Sequence, residues 1–214
     1  MLEDILIRAK RLPTATLADA LDHHGVHGIM SGIPRRAGEG RIAGYARTMQ
    51  EHVGPLGTYA FSDFTVGAGF DDVERDTVLV VDMGGADVST FGGLASLALS
   101  RKHAAAAIID GGCRDIEEIR SSGLTVASRY VTPRTGKRRL KVVSRGQPVT
   151  CGGVAVRQSD LVVADDTGVV VIPSGMVEKI LGTAEKLDRQ DAAFADELRA
   201  DKSFADSASA LQHA

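Results

Sequence analysis

The chain has no tryptophan, only 2 cysteines, and aromatic residues at 4% of its 214 positions. So few aromatics disfavour platforms that stack bases or sugar rings. So few cysteines exclude a disulfide scaffold and fit a reducing compartment. Basic residues are not in surplus: 25 Lys and Arg against 28 Asp and Glu leave a net charge of −3. That balance provides no phosphate-neutralising surface, so nucleic acid is not expected as a ligand. No run approaches the roughly 18 apolar residues of a membrane span. The opening MLEDILIRAKRL alternates charged and apolar residues and lacks the unbroken apolar stretch of a signal peptide. A soluble, cytoplasmic protein without membrane partners is the expectation. The rest is ordinary globular material, 43% hydrophobic and 25% charged, with 24 glycines for tight turns and close backbone approaches.

Residues 1–28 read as helical, with Leu17, Ala20 and Leu21 on one stripe and Gly25 as a stop. The text from Gly32 to Val53 is irregular, with a short strand at Tyr45–Met49. Thr77–Asp82 (TVLVVD) and Ala104–Asp110 (AAAAIID) are apolar runs of the kind that form buried strands. Between them Gly92 and Gly93 open a helix, and Ile116–Ser121 predicts a second helix before a strand at Thr125–Ser128. Strand, helix, strand, helix, strand implies right-handed βαβ crossovers. Short β runs between Val142 and Ile172, separated by Gly, Pro and Asp, predict hairpins. Ser174 then caps an amphipathic helix with Val177, Ile180, Leu181, Ala184 and Leu187 on one face. Residues 201–214 are rich in Ala, Ser and Asp and predict a frayed end. The reading is one α/β domain with a mixed sheet over 1–175, followed by a C-terminal helix and tail over 176–214.

Two segments carry candidate chemistry. The first is Asp110-Gly111-Gly112-Cys113-Arg114-Asp115, a Gly-rich loop at the C-terminal edge of a buried strand, where α/β sheets bind ligands. Adjacent Arg and Asp pointing apart allow one to clamp a carboxylate and the other to hold a hard divalent cation; an ordinary ion pair at a helix start is the plainer alternative. The second is Phe91-Gly92-Gly93-Leu94-Ala95-Ser96, where two glycines opening a helix leave free N–H groups for a small carboxylate. It is neither a Walker loop nor a G-x-G-x-x-G turn, and a plain tight turn is its alternative. Other groups read as structural. His23, His24 and His27 straddle a helix end, Cys113 lacks a base to activate it, and Cys151 is a strand residue. Lys137-Arg138-Arg139, with Lys141 and Arg145, is either a solvated face or a neighbour of an anionic substrate. Asp165-Asp166-Thr167-Gly168 is a turn between strands.

Taken together, Gly92-Gly93-Leu94-Ala95, the Ala104–Asp110 strand, and Gly111-x-x-Arg114-Asp115 with Glu118 three residues on resemble the RraA-like family. Residues 94–113, twenty in all, separate Gly93 from Arg114, as in that family. The LADAL helix, the TVLVVD strand and the VADDTGVVVIP run extend the resemblance over roughly 13–175. The family contains metal-dependent 4-hydroxy-4-methyl-2-oxoglutarate / 4-carboxy-4-hydroxy-2-oxoadipate aldolases and the regulator of RNase E activity. The resemblance implies a swivelling β/β/α domain, assembled as a homotrimer or homohexamer with its active site between subunits. It implies that Arg114 binds the pyruvyl group of a 2-oxo acid and that Asp115 binds Mg²⁺ or Mn²⁺. The backbone of Gly92, Gly93, Leu94 and Ala95 would hold the carboxylate. The implied reaction cleaves a 4-hydroxy-2-oxo acid to pyruvate and a second oxo acid, with oxaloacetate decarboxylation beside it. A protein-binding regulator of ribonuclease and a lyase or hydratase on another 2-oxo acid are the alternatives. Position 93 departs from the aldolases, which carry an acid there. Those enzymes also draw an acid from a neighbouring C-terminal region, for which Glu185, Asp188 and Asp191 are candidates.

Overall fold

The computed structural model describes residues 2–211. Helices α1 (Leu2–Arg11) and α2 (Thr14–His23) precede strands β1 (Arg35–Ala37) and β2 (Ile42–Val53). A short helix, α3 (Val66–Asp71), leads to β3 (Thr77–Asp82) and β4 (Ser89–Phe91). Then come α4 (Gly93–Arg101), β5 (Ala106–Cys113), α5 (Ile116–Ser121) and β6 (Thr125–Val131). The rest is β7 (Leu140–Arg145), β8 (Val149–Cys151), β9 (Val154–Val156), β10 (Leu161–Ala164), β11 (Val169–Ile172), α6 (Val177–Arg199) and α7 (Phe204–Leu211).

Nine strands form one mixed sheet in the order β1-β6-β5-β3-β2-β10-β11, with β4 beside β5 and β7 beside β2. Strands β2, β3, β5 and β6 run parallel, as the alternation of apolar strands and helices predicts. Alternate residues of β3 serve opposite faces. Leu79 and Val81 pack with Leu99 and Ile119 in the cluster that includes the helices α4 and α5. Val78 and Val80 pack instead with Ile108, Val149 and Val154. Helices α1, α2 and α6 bury Leu17, Leu21, Ile180 and Leu181 against Leu161 and Ile172 of the β10–β11 hairpin. The turn of that hairpin is tied to α2: Asp165 accepts from the Thr14 N–H at 3.0 Å and its hydroxyl at 2.6 Å. A carboxylate at a helix start satisfies an orphan donor and faces the positive end of the dipole.

Several local expectations change. Gly111–Cys113, expected in a loop, is the buried last part of β5, which runs from Ala106 to Cys113. The strand expected at Tyr45–Met49 runs from Ile42 to Val53, because β2 pairs with β3, β10 and β7. That long-range pairing holds its polar residues extended. Ser174 does not cap α6; the helix begins at Val177 after a single 3₁₀ turn, and the Ser174 N–H donates to Asp160 at 2.9 Å. The end expected to fray forms α7 over Phe204–Leu211, where the Phe204 ring meets Phe194 edge-on at 5.0 Å. Residues 212–214 lie outside those described.

Candidate active site

The parallel strands deliver their C-terminal ends to one edge, and there β4 turns into α4 while β5 turns into α5. Gly92 caps α4 in an extended conformation. A Cβ on Gly92 would sit 2.5 Å from Asp115 Oδ2 and 3.2 Å from Arg114 Cγ, so a side chain there would displace the Asp115 carboxylate from its place against the turn. Asp115 adopts φ 53° and ψ 48°, the left-handed region. Asp visits that region more readily than most residues, yet such backbone costs on the order of 1–3 kcal/mol. The conformation aims the carboxylate back across the loop, where Oδ2 accepts from the Gly93 N–H at 3.2 Å.

The adjacent pair does not point apart. Arg114 Nε lies 3.5 Å from Asp115 Oδ2, and the two side chains are 42% and 39% exposed. They meet at a cavity of roughly 230 Å³, walled on its apolar side by Phe64, Phe70 and Phe91. Gly92, Leu94, Ala95, Thr90 and Lys137 also line it. Gly93 lies just outside, in an adjoining groove with Glu118. A larger groove near Arg35, Arg36 and Arg120 is a weaker candidate, because each of these arginines already has a partner in the fold. Arg35 pairs with Asp166, Arg36 donates to the Ser128 and Arg129 carbonyls, and Arg120 donates to the Arg36 carbonyl.

Behind the site, Asp110 anchors the second half of β5. Its carboxylate accepts from Arg129 Nε at 2.6 Å and from the Gly152 N–H at 2.8 Å. The histidines disperse: His24 bonds Thr183 Oγ1 at 2.8 Å and His27 bonds the Gly153 carbonyl at 3.3 Å. Cys113 and Cys151 are buried. Burial pushes the Cys113 thiol up, against the opposing bond to Ser128, so it is no thiolate nucleophile. Within the basic run the residues separate in role. Lys137 lines the cavity, 5.5 Å over the Phe61 ring, whereas Arg145 pairs with Asp72. Among the C-terminal acids, Glu185 is held by Arg8 at 2.7 Å, which keeps its carboxyl below the ordinary range; Asp188 is half-buried and Asp191 exposed on α6.

Among the described residues no three His, Cys, Asp or Glu side chains converge as a metal cage. Mg²⁺ and Mn²⁺ do not demand one: they are commonly held by one or two carboxylates, with water and substrate oxygens completing the shell. The half-exposed Asp115 carboxylate at the cavity mouth fits that donor set.

The family model for RraA-like proteins, described as Aldolase/RraA, matches residues 14–171. The chain belongs to the RraA-like family. This RraA-like chain is 28% identical over 191 residues to a protein of Halalkalibacterium halodurans named "Putative 4-hydroxy-4-methyl-2-oxoglutarate aldolase", covering 89% of this chain and 86% of that one. Its fold superposes with a TM-score of 0.85 on an uncharacterised protein of Pseudomonas syringae, at 22% identity over 96% of both chains. Streptomyces coelicolor RraAS2, described as an unusual member of the RNase ES inhibitor RraA protein family, matches with a TM-score of 0.78. That match is 26% identical and covers 88% of this chain and 94% of the other. The RraA-like fold is thus the α/β arrangement expected, a mixed sheet with flanking helices.

Sequence reasoning missed Thr90 and Glu51. Thr90 lies in β4, a strand of three residues, too short to leave a periodic signal in the sequence. Glu51 lies in the part of β2 that extends beyond the expected strand.

Proposed function

We infer that this chain is a divalent-metal-dependent lyase that cleaves a 4-hydroxy-2-oxo acid to pyruvate and a second oxo acid, and that it also decarboxylates oxaloacetate. The observation that carries the reading is the Arg114–Asp115 pair set against the first turn of α4 at a small cavity. The likeness to the Halalkalibacterium halodurans protein points to the 4-hydroxy-4-methyl-2-oxoglutarate type of substrate.

Asp115 would hold the cation. When bound, Mg²⁺ or Mn²⁺ supplies Lewis-acid polarisation of the 2-oxo acid. The N–H groups of Leu94 and Ala95, at the positive end of α4, hold the substrate carboxylate. The Arg114 guanidinium faces the 2-oxo oxygen, where negative charge grows as the C3–C4 bond breaks toward a pyruvate enolate. Loss of CO₂ from oxaloacetate passes through the same enolate, so one constellation serves both reactions. The Phe64 and Phe70 wall excludes water and strengthens these electrostatic contacts.

Aldol cleavage also needs a base for the 4-hydroxyl, and here position 93 matters. A Cβ on Gly93 would lie 2.8 Å from Glu118 Cβ and 3.3 Å from its Cγ. The Glu118 stem fills the place of the acid that the aldolases carry. Gly93→Asp alone is therefore expected to destabilise the protein by about 1–3 kcal/mol through overpacking. Gly93→Asp with Glu118→Gly opens the space, and its ratio of aldolase to decarboxylase activity should exceed that of the unaltered protein. Thermal unfolding together with paired kinetics on both substrates checks this; an unchanged ratio in the double variant removes position 93 from the mechanism.

Leu94, in the cavity wall, is 86% exposed, and Leu97, in the adjoining groove, is 52% exposed. An apolar rim at a functional site suits an interface, and a closed homotrimer or homohexamer would bury it. Light scattering should give a trimer or a hexamer at micromolar concentration; a stable monomer overturns the assembly.

A second reading, a protein-binding regulator of a ribonuclease, is favoured by the likeness to RraAS2. Measured turnover with Mg²⁺ or Mn²⁺ supports the lyase. Absence of turnover on both substrates, together with capture of a ribonuclease, supports the regulator.

A further inference from the structure

Thr90, in the cavity wall, has a buried acid behind it. Its Oγ1 lies 2.6 Å from Oε1 of Glu51, which is only 3% exposed. Among the described residues, Oε2 of Glu51 has no hydrogen-bond partner. Among the described residues no charged side chain is paired with Glu51. Lys141 stands opposite His52 rather than Glu51, and Arg145 is taken by Asp72. Asp82 accepts from the Gly84 and Thr150 N–H groups, and Lys137 sits over Phe61. Burial, against the opposing Thr90 hydrogen bond, pushes the Glu51 carboxyl up to about 8.

A buried acid with an idle oxygen is costly, and such groups cluster where a site needs them. The position of its proton follows from the hydrogen-bond inventory. An O–H on Oε2 would point at nothing, whereas an O–H on Oε1 donates to Thr90 Oγ1. The Thr90 hydrogen must then turn elsewhere, and the cavity adjoins it. When Glu51 is ionised the Thr90 hydrogen returns to the carboxylate and the cavity loses a donor.

We propose that Glu51 is a positioning residue for the 2-oxo-acid site: its carboxylic O–H donates to Thr90 Oγ1 and turns the Thr90 hydroxyl toward an oxygen of the bound pyruvyl group. The proposal rests on the 2-oxo-acid reading of the cavity. Its test is calorimetric binding of oxalate, a dianionic mimic of the pyruvate enolate, to Mg²⁺-loaded protein between pH 7 and 9.5. Loss of one hydrogen bond to a charged ligand should weaken binding by the unaltered protein about tenfold across that range. Glu51→Gln keeps a donor toward Thr90 at every pH, so its affinity should match the unaltered protein at pH 7 within about twofold and stay level. Thr90→Ser should retain the pH profile. Thr90→Val should bind as weakly at pH 7 as the unaltered protein does at pH 9.5.

A second readout follows the proton itself. A folded-state pKa raised from 4.5 to about 8 means that stability present at low pH is lost as pH rises to 8. The Tm of Glu51→Gln should therefore equal that of the unaltered protein near pH 4.5 and exceed it by several degrees at pH 8. If Glu51→Gln or Thr90→Val shows the same tenfold loss as the unaltered protein, the proposal is overturned while oxalate binding still supports the 2-oxo-acid site. If the unaltered protein binds no oxalate at any pH, both fall together.

Discussion

Arg114→Lys is expected to lose about 10²- to 10³-fold in kcat on a 4-hydroxy-2-oxo acid and on oxaloacetate alike. The substitution keeps the positive charge but removes the planar fork that can meet an oxygen and a carboxylate together. Arg114 lies in contact with Asp115 through Nε, leaving the terminal nitrogens of the guanidinium for the ligand. An ammonium at the end of a flexible stem cannot serve both directions. Because the oxygen's charge is greatest in the transition state, the loss should fall on kcat more than on KM. Steady-state kinetics on both substrates decides: equal losses mean a shared enolate, and if either reaction is spared the two do not share it.

Asp115→Ala should have the other large effect, a fall of about 10³-fold or more in metal-dependent activity through loss of the carboxylate oxygen that a hard cation needs. Alanine at φ 53° also carries backbone strain that Asp tolerates better. Asp115→Asn is therefore the cleaner companion, since Asn accepts left-handed backbone and keeps the shape. Both variants should lose Mn²⁺ binding, read directly by electron paramagnetic resonance, while circular dichroism stays unchanged. Retained Mn²⁺ affinity in Asp115→Asn would place the cation elsewhere, and chelator-treated protein as active as metal-loaded protein would remove the cation altogether.

The crossover part of the sheet was legible because its strands are unbroken apolar runs and a pair of glycines marks the start of α4. β2 was half legible: Arg47, Gln50 and Glu51 interrupt its apolar pattern, and only pairing with β3 and β7 holds them extended. The association of Gly92 with Arg114 and Asp115 could be read from spacing and edge topology. Their mutual geometry could not, since it depends on one left-handed residue that leaves no periodic trace. The same holds for Glu51, whose burial comes from chain segments distant in sequence. The turn at Asp165 was legible from its residue types; its bond to Thr14 was not, because the partners are 151 residues apart.

The central place of β2 bears on how the chain is made. Its parallel neighbour β3 arrives within a few tens of residues, but the partner on its other edge, β10, begins only at Leu161. Until then the stretch Ile42–Tyr45 presents unpaired N–H and C=O groups along a free edge, the template on which nascent chains join wrongly. Closing that edge means bringing together residues more than 100 positions apart, which adds loop-closure entropy to the barrier. Folding should accordingly be slow and incomplete until the last quarter of the chain has left the ribosome, with the β10–β11 hairpin acting as the closing stave of the sheet.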